Sequence, residues 1–550
     1  MSVAIYFHPE AYSTDGPMLM GRNAAGESFL KGYFLNSEDN SFWVHTSNKS
    51  NAEKFAKLAS SLNRKEVVQF INFKNVDALS KPGILYYPGP DIFSQALNRS
   101  FYGNNLWSIC GITHTTSSLD AIDSISSLVT SPVFEWDALI CTSQAVKVNV
   151  EKVIRDSIEY YKNRFGAKHF VLPQLPVIPL GINVDDFSFD KEDKLKARNC
   201  LQIEEDTIVV MYMGRLSFHA KAHPLAMYQA LESAFHNTKK NILLLECGWF
   251  ANDQIKLSFE DAASTFAPNI KVRFLDGRDI KNRHLAWAAA DIFCSLSDNV
   301  QETFGITPIE AMASGLPVIV SDWNGYRDSI RHEVDGFRVK TTIPQRGLGL
   351  DFIRRHSMQI DNYDMYVGLT SSLISVDIEQ ATNFFIKLIN SKQLREKMGR
   401  EGQERAYSNY DWSVIIQKYK NLWDTLNTIR LQESNQSQIN RESSLSRLDP
   451  FESFSHYASN IFCDASVISL VDSDMKISLQ KIDSYLKLSM VNYSKFIIPS
   501  KEITYSLLIK ISTDSKTVLE IVSSFNPSQV PNIKRSLCWL LKMGIIRINS

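Results

Sequence analysis

Residues 301–322 read QETFGITPIEAMASGLPVIVSD, and the fold is read from this stretch. Two carboxylates, Glu302 and Glu310, bracket a Thr-Phe-Gly-Ile-Thr-Pro turn; a helix-like run of small residues follows, then the buried-strand pattern Pro317-Val-Ile-Val. A helix that begins at this turn tolerates Pro308, because the first turn leaves its amides without intrahelical partners. Such a helix start aims free backbone N–H groups at an anion. Carboxylates just before the helix and two turns along it reach hydroxyls on either side of that anion, which suits a phosphorylated, hydroxyl-rich ligand such as a nucleotide sugar. The competing reading is a surface acid and a buried helix acid in an ordinary αβ unit. The glycine turn and the flanking strand favour the ligand.

Upstream of this stretch, strand-like runs at Ile208–Met213, Ile242–Cys247, Lys271–Leu275 and Ile292–Ser295, with Pro317–Val320 beyond, alternate with helix-length segments. That alternation is the sign of a doubly wound parallel sheet. The first of these strands runs into Gly214-Arg215-Leu216, with Lys221 a short loop later. Two cations at a strand end, facing the helix start at Gly305 along the same sheet edge, neutralise a diphosphate. The N-terminal part repeats the pattern, with strands expected at Val3–Phe7, Phe42–His45, Val67–Phe73, Ile84–Tyr87, Leu106–Ile112 and Ala138–Cys141. Between its first strand and first helix, the loop Pro9–Glu27 carries Gly16, Gly21, Gly26 and Arg22, which lets a phosphate or sugar approach the backbone. No GxGxxG follows that strand. At the end of the Leu106–Ile112 strand stands Thr113-His114-Thr115-Thr116, where a histidine can hydrogen-bond a substrate hydroxyl or phosphate, or be satisfied structurally by its neighbours.

A long amphipathic helix, Gln144–Phe165, bears Lys147, Lys152, Arg155, Lys162 and Arg164. Its charged face is read first as a solvated face, and second as a peripheral contact with anionic lipid. Three prolines in Pro173–Pro179 mark a stiff connection between two domains.

The whole chain of 550 residues is too long for one core. Its 59 basic and 60 acidic residues leave no overall field that would steer it to nucleic acid. The start MSVAIYFHPE reads as a first strand and not as a secretory leader, no apolar run is long enough for a bilayer, and seven scattered cysteines form no CxxC pair. A cytoplasmic location is expected, with peripheral attachment at the inner membrane face as the variant.

With Gly214-Arg215-Leu216, Lys221 and the E-x7-E of Glu302 and Glu310 in hand, the chain resembles the family-4 retaining glycosyltransferases of GT-B fold. Val177-Ile178-Pro179-Leu180-Gly181-Ile182 is similar to that family's interdomain segment. Asp335-Gly336-Phe337 follows as in the family, and the Tyr410-Asp411-Trp412 helix looks like the terminal helix that crosses back to the first domain. The resemblance covers about residues 1–430. It implies two Rossmann-like domains facing across a cleft, 1–176 on the acceptor side and 177–409 on the donor side, with a crossover helix at 410–430.

The resemblance further implies that Arg215 and Lys221 hold the donor's phosphates with the amides of Phe304, Gly305 and Ile306 and the Thr307 hydroxyl. Glu310 would bind the ribose, Glu302 the transferred sugar, and His114 would face donor sugar and acceptor. Gly21 in Met20-Gly21-Arg22 would approach the donor. Family members need no metal or other cofactor, and no DxD-type cluster stands in the chain. Departures are a spacing from Arg215 to Lys221 one residue longer than usual, Ala222 where glycine is usual, and an extra segment, Thr341–Ser372, with Arg346, Arg354, Arg355 and His356.

From Leu431 the sequence LQESNQSQINRESSLSR is a polar linker, assigned to 431–449. Residues 450–550 are expected to form a small, mainly helical module like a winged helix, from Lys516–Phe525, a proline turn, Asn532–Met543 and the apolar Gly544–Ile548. Lys534, Arg535, Lys542 and Arg547 could meet phosphates, yet acids and bases nearly balance, so a protein partner is expected before nucleic acid. The leading activity is transfer of a sugar from a nucleotide-diphosphate sugar to a glycan or lipid-linked acceptor. Its rivals are another GT-B enzyme, such as a nucleotide-sugar epimerase or a phosphorylase, and a non-catalytic sensor or scaffold with a DNA-binding tail.

Overall fold

The computed structural model describes residues 2–12, 21–433 and 447–549. The chain divides into two compact units, 1–445 and 446–550.

The first unit contains two six-stranded sheets. One is built from β1 (Ala4–Tyr6), β2 (Ser41–Thr46), β3 (Val67–Asn72), β4 (Ile84–Tyr86), β5 (Ser108–Ile112) and β6 (Ala138–Ile140), in the order β3-β2-β1-β4-β5-β6. The other is built from β7 (Ile208–Met213), β8 (Ile242–Gly248), β9 (Lys271–Asp276), β10 (Ile292–Ser295), β11 (Val318–Ser321) and β12 (Gly336–Val339), in the order β12-β11-β10-β7-β8-β9. All neighbouring pairs in both sheets are parallel. The order reverses between β1 and β4 and again between β7 and β10, so each sheet has a crevice at the carboxyl ends of those strands.

Strand ends differ from expectation where side chains intervene. Pro317 stays outside β11, since it has no N–H for the ladder, although its carbonyl accepts from Phe293. Leu106 and Trp107 precede β5 because the buried Arg99 guanidinium takes the Trp107 carbonyl at 2.7 Å and pairs with Asp137 at 2.7 Å. The edge strand β12 is not among the expected strands; Gly336-Phe337 begins it and pairs with Val318-Ile319 of β11. Helix Gln144–Phe165 has the expected bounds, with Ser143 as its N-cap and Gly166 in the left-handed conformation at φ +66° after it.

Two lobes must be fastened if a cleft between them is to hold its shape. The fastening is at Trp412. Tyr410 closes the helix Lys392–Tyr410, and a second helix, Trp412–Glu433, starts after a break at Asp411. One continuous helix from Tyr410 was expected; instead Ile182 N–H donates to the Tyr410 carbonyl at 2.9 Å and Trp412 N–H to the Ile182 carbonyl at 3.1 Å, a strand-like bridge that interrupts it. The helix also extends to Glu433, three residues into the expected linker. The Trp412 indole donates to Ser28 Oγ at 2.7 Å and lies over Gly32 and Gly181, both too close for a side chain. Farther along, Tyr419 and Trp423 pack among Phe29, Tyr33 and Tyr86 of the first lobe. The break at Asp411 turns the last helix back onto the first sheet.

After β12 the chain inserts β13 (Thr341–Thr342), helix Leu350–Ser357, helix Tyr363–Ser371 and β14 (Ser375–Val376), with β13 and β14 antiparallel.

The second unit carries β15 (Val467–Leu470), β16 (Lys516–Thr517) and β17 (Ile546–Ile548) in the order β16-β15-β17, with helices Met475–Tyr485, Lys501–Ser512, Val518–Val522 and Val530–Lys542. Lys516–Thr517 is a strand and not the start of a helix, because Thr517 with Glu520 forms the capping box of the helix that follows. Of the cations named for phosphate contact, Lys534 pairs with Asp464 at 2.5 Å and Arg535 lies over the Phe496 ring. No helix among the described residues is long and apolar enough to cross a membrane.

A Cβ built on Gly181 would lie 2.6 Å from the Trp412 ring. Gly181→Ala is therefore expected to lower stability by about 1–3 kcal/mol through overpacking. Chemical denaturation of the two proteins measures it, and Gly349→Ala, whose nearest neighbour would be Phe352 at 3.8 Å, serves as the tolerated control.

Candidate functional site

Adjacent parallel strands bring their following loops together, and β7 and β10 are adjacent. Arg215 and Lys221 lie in the loop after β7, and Glu302 to Thr307 lie in the segment after β10. The Arg215 guanidinium donates to the Ala220 carbonyl at 2.9 Å and to Gln301 Oε1 at 3.2 Å. Lys221 Nζ meets Glu302 Oε2 at 2.5 Å. The two loops are laced further by Asn299 donating to the His219 carbonyl at 3.0 Å and Ser297 to the Lys221 carbonyl at 3.3 Å. The extra residue between Arg215 and Lys221 is thus taken up in a loop that still delivers the lysine to Glu302.

Gly305 adopts φ +82° as the residue before helix Ile306–Ala313, and the Tyr326 ring fills the space a side chain would need. A non-glycine residue would be strained there twice, by its backbone and by that ring. No side chain caps this helix, and the amides of Gly305, Ile306 and Thr307 have no protein acceptor among the described residues. The positive dipole end of this helix is therefore left without a side-chain cap, shortly after the Glu302 that pairs with Lys221. Phe304 is 2% exposed and its ring belongs to the core, so only its backbone is available to a ligand. Glu310 stands on the same helix, enclosed by protein with part of its surface open. Burial pushes its carboxyl up to about 7, against the pull of Arg283.

Two further acids lie behind the Arg215 loop. Glu246 is buried in β8, accepts from the Tyr228 hydroxyl at 2.5 Å, and is pushed up to about 8 by burial. Asp298 accepts from the His223 amide at 3.4 Å and is pushed up to about 7 for the same reason. Burial without a cation partner disfavours the charged carboxylate.

The first lobe meets this assembly directly. Thr303, between Glu302 and Phe304, donates its hydroxyl to the His114 carbonyl at 3.1 Å and receives the Ser143 hydroxyl on its own carbonyl at 2.7 Å. Asp328 Oδ2 accepts from the Gln144 amide at 2.6 Å, so a carboxylate of the second lobe caps a helix start of the first. His114, Arg215, Lys221, Glu302, Gly305, Ile306 and Thr307 are thereby gathered around one cleft. Gly21 is the first residue of helix Gly21–Asn36; residues 13–20, including Met20, lie outside the described residues.

Three participants had no sequence signal. Gln301 belongs to no motif beside Glu302, yet its Oε1 accepts from the Arg215 guanidinium. Asn324 bonds the Glu302 carbonyl from the loop after β11, a partner distant in sequence. Tyr363, in the insertion, hydrogen-bonds Ser117 in the first lobe. On helix Gln144–Phe165, Lys147 and Lys162 pair with Glu151 and Glu159 of the same helix, as a solvated face does. No cluster of three or more metal-ligating side chains occurs among the described residues.

Residues 193–346 match the family described as Glycosyl transferases group 1. An uncharacterised glycosyltransferase of Methanocaldococcus jannaschii is 30% identical over 175 residues, which is 31% of this chain and 42% of that protein. The D-inositol 3-phosphate glycosyltransferase of Corynebacterium diphtheriae is 22% identical over 327 residues, 58% of this chain and 66% of its own length. The phosphatidyl-myo-inositol mannosyltransferase of Mycobacterium leprae is 28% identical over 158 residues, 28% of this chain and 32% of its own. The chain thus spans between about a third and two thirds of these relatives. Among solved structures, Anabaena HepE in complex with UDP is similar with a TM-score of 0.52 at 14% identity, over 77% of this chain and all of that one. The architecture is GT-B.

Because Glu246, Asp298 and Glu310 are all held above the usual carboxylate range, each is neutral when folded at a pH where the unfolded chain has already lost the proton. Their contribution is fully present below about pH 4, the unfolded carboxylate range, and is lost as pH rises through 7 to 8. Melting temperature is accordingly expected to fall between pH 5 and pH 8.5, and Glu246→Gln to flatten part of that fall. A thermal-shift series in buffers of constant ionic strength measures both.

Proposed function

We propose that this chain is a glycosyltransferase that moves a sugar from a nucleotide-diphosphate sugar to a hydroxyl of a glycan or lipid-linked acceptor, with retention of anomeric configuration. The observation that carries the reading is the convergence of Arg215, Lys221 and the uncapped helix start at Gly305 on one crevice, where β7 and β10 part. A family match over residues 193–346 supports it, as does the likeness to GT-B structures, three of which are described with UDP, with UDP and glucose, and with UDP-glucose. UDP is therefore the first nucleotide to test.

In this reading Arg215 and Lys221 bind the diphosphate together with the amides of Phe304, Gly305 and Ile306 and the Thr307 hydroxyl. Glu310 accepts from the ribose hydroxyls, which requires its charged form and the loss of the proton that burial favours. Glu302 faces the transferred sugar. Its ion pair with Lys221 orients the carboxylate and brings the lysine to the crevice. His114, across the cleft, faces donor sugar and acceptor. Gly21, at the start of helix Gly21–Asn36, would let the donor approach the backbone there.

The chemistry follows from where charge develops. As the bond between the anomeric carbon and the phosphate oxygen breaks, its electron pair stays on the diphosphate and positive charge builds on the sugar carbon. Two cations and a helix N-terminus at the leaving oxygens stabilise that state more than the intact donor, which lowers the barrier. The acceptor hydroxyl bonds to the anomeric carbon from the face the diphosphate leaves, and its proton passes to the departing phosphate oxygen. The lobes that meet at Thr303, His114 and Ser143 align the two substrates and exclude water.

Arg215→Ala is expected to weaken UDP binding by about 10–100-fold, the worth of charge-assisted hydrogen bonds, and to lower turnover by about two or more orders of magnitude. Calorimetric titration with UDP and UDP release from UDP-glucose measure the two effects. Wild-type affinity with near-normal turnover in the variant would remove Arg215 from the diphosphate seat.

A further inference from the structure

The insertion after β12 touches both sides of the cleft. It leaves the second lobe through the β13–β14 clamp, where the Thr341 hydroxyl also donates to the Asp322 carbonyl at 3.0 Å. Within it, Arg355 pairs with Asp361 at 2.7 Å, His356 Nδ1 hydrogen-bonds the Asp361 carbonyl at 3.1 Å, and the His356 ring stacks on Tyr366 with centroids 4.8 Å apart and planes 6° from parallel. His356 is 7% exposed. This bracing makes the insertion a folded element and gives helix Tyr363–Ser371 a defined position.

One end of that helix reaches the first lobe. The Tyr363 hydroxyl hydrogen-bonds Ser117 Oγ at 2.7 Å and lies 3.4 Å from Thr115 Oγ1, on the loop that carries His114. The next turn meets the donor side, where Gly368 approaches His219, between Arg215 and Lys221, so closely that an added Cβ would lie 3.1 Å from the His219 Cβ. The remaining residues of the His114 loop are tied elsewhere. Thr113 donates to the Ile140 carbonyl at 3.1 Å, Thr116 accepts from Asn149 at 3.0 Å, and the His114 carbonyl accepts from Thr303. Tyr363 is thus a hold of the insertion on this loop.

We propose that helix Tyr363–Ser371 is a strut between the Arg215–Lys221 loop and the His114 loop, and that Tyr363 is a positioning residue that sets where His114 stands relative to the donor. The strut rests on contacts; its effect on turnover rests also on the donor reading of Arg215 and Lys221. A tyrosine is suited to the task because its ring spans the gap from a helix while its hydroxyl supplies the directional bond. A side chain at 368 would crowd the His219 Cβ, so the Arg215–Lys221 loop would have to give by a few tenths of an ångström to keep this contact.

The test uses the full chain as wild type, Tyr363→Phe, Ser117→Ala, the double variant and Gly368→Ala. Hydrogen exchange over residues 113–118 is expected to quicken about tenfold in Tyr363→Phe, and the double variant is expected to match Ser117→Ala, because Ser117→Ala already removes the Tyr363–Ser117 bond along with the Ser117–Thr115 bond. Gly368→Ala is expected to quicken exchange over residues 217–222 while the Tyr363 hydroxyl remains in place. With UDP-glucose as probe and water as acceptor, Tyr363→Phe is expected to lower kcat for UDP release about tenfold with KM and UDP affinity within about twofold, the split that distinguishes positioning from donor binding. Unchanged exchange over 113–118 in Tyr363→Phe, or additive effects in the double variant, overturns the strut. If the wild type neither binds UDP nor releases it, the donor reading fails at that point, and the exchange measurements still decide the strut.

Discussion

Parallel strands cannot be joined by a tight turn; each pair needs a crossover that returns to the starting end, and the crossover has one favoured hand. In each sheet of this chain the order therefore grows outward from a central pair, β1 with β4 and β7 with β10, and the loops after that pair part to opposite faces. The crevice left between them is a consequence of chain direction, not of any particular side chain. Arg215 follows β7 and Glu302 follows β10, so the constraint alone brings two loops separated by eighty-odd residues to one place. Without it, neither the cations nor the helix start at Gly305 would have a common target.

Electrostatically the crevice is asymmetric. Its front holds Arg215, Lys221 and the positive end of a helix, while the layer behind holds Glu246 and Asp298, which burial keeps above their ordinary range. Neither acid has a cation partner among the described residues, so burial disfavours its charged form. Raised in this way, they are met by the Tyr228 hydroxyl and the His223 amide and not by a cation. Glu302 is arranged differently, sharing its carboxylate with Lys221 at the surface of the cleft.

Lobe closure draws on elements from the whole of the first unit. Thr303 links the turn before helix Ile306–Ala313 to loops after β5 and β6, Trp412 fastens the last helix to Gly32 and Gly181, and Tyr363 adds a contact from the insertion. Beneath these directional contacts one apolar cluster runs from Phe29, Tyr33 and Tyr86 of the first lobe through Trp412 to Phe304 and Tyr326 of the second, so the lobes share a core as well.

Much of this was legible along the chain. Strands Ile208–Met213 and Ile292–Ser295 and helix Gln144–Phe165 have the bounds their apolar patterns indicate, because hydrophobic periodicity and local caps are properties of contiguous residues. The two doubly wound sheets, and the candidates Arg215, Lys221, Glu302, Gly305 and Glu310, follow from residue type at strand and helix ends. Other features depended on partners remote in sequence. The break at Asp411 exists because Ile182 claims the backbone there, β12 because β11 offers an edge, and the span of Tyr363 because folding carries the insertion to Ser117. The protonation of Glu246, Asp298 and Glu310 likewise depends on what surrounds them. By itself the sequence determined which elements form and which chemistry their ends carry, since those are local matters of propensity and pattern. Only the tertiary structure decided which ends meet, which acids keep a proton and which loop holds His114, since packing between distant residues sets distance and dielectric.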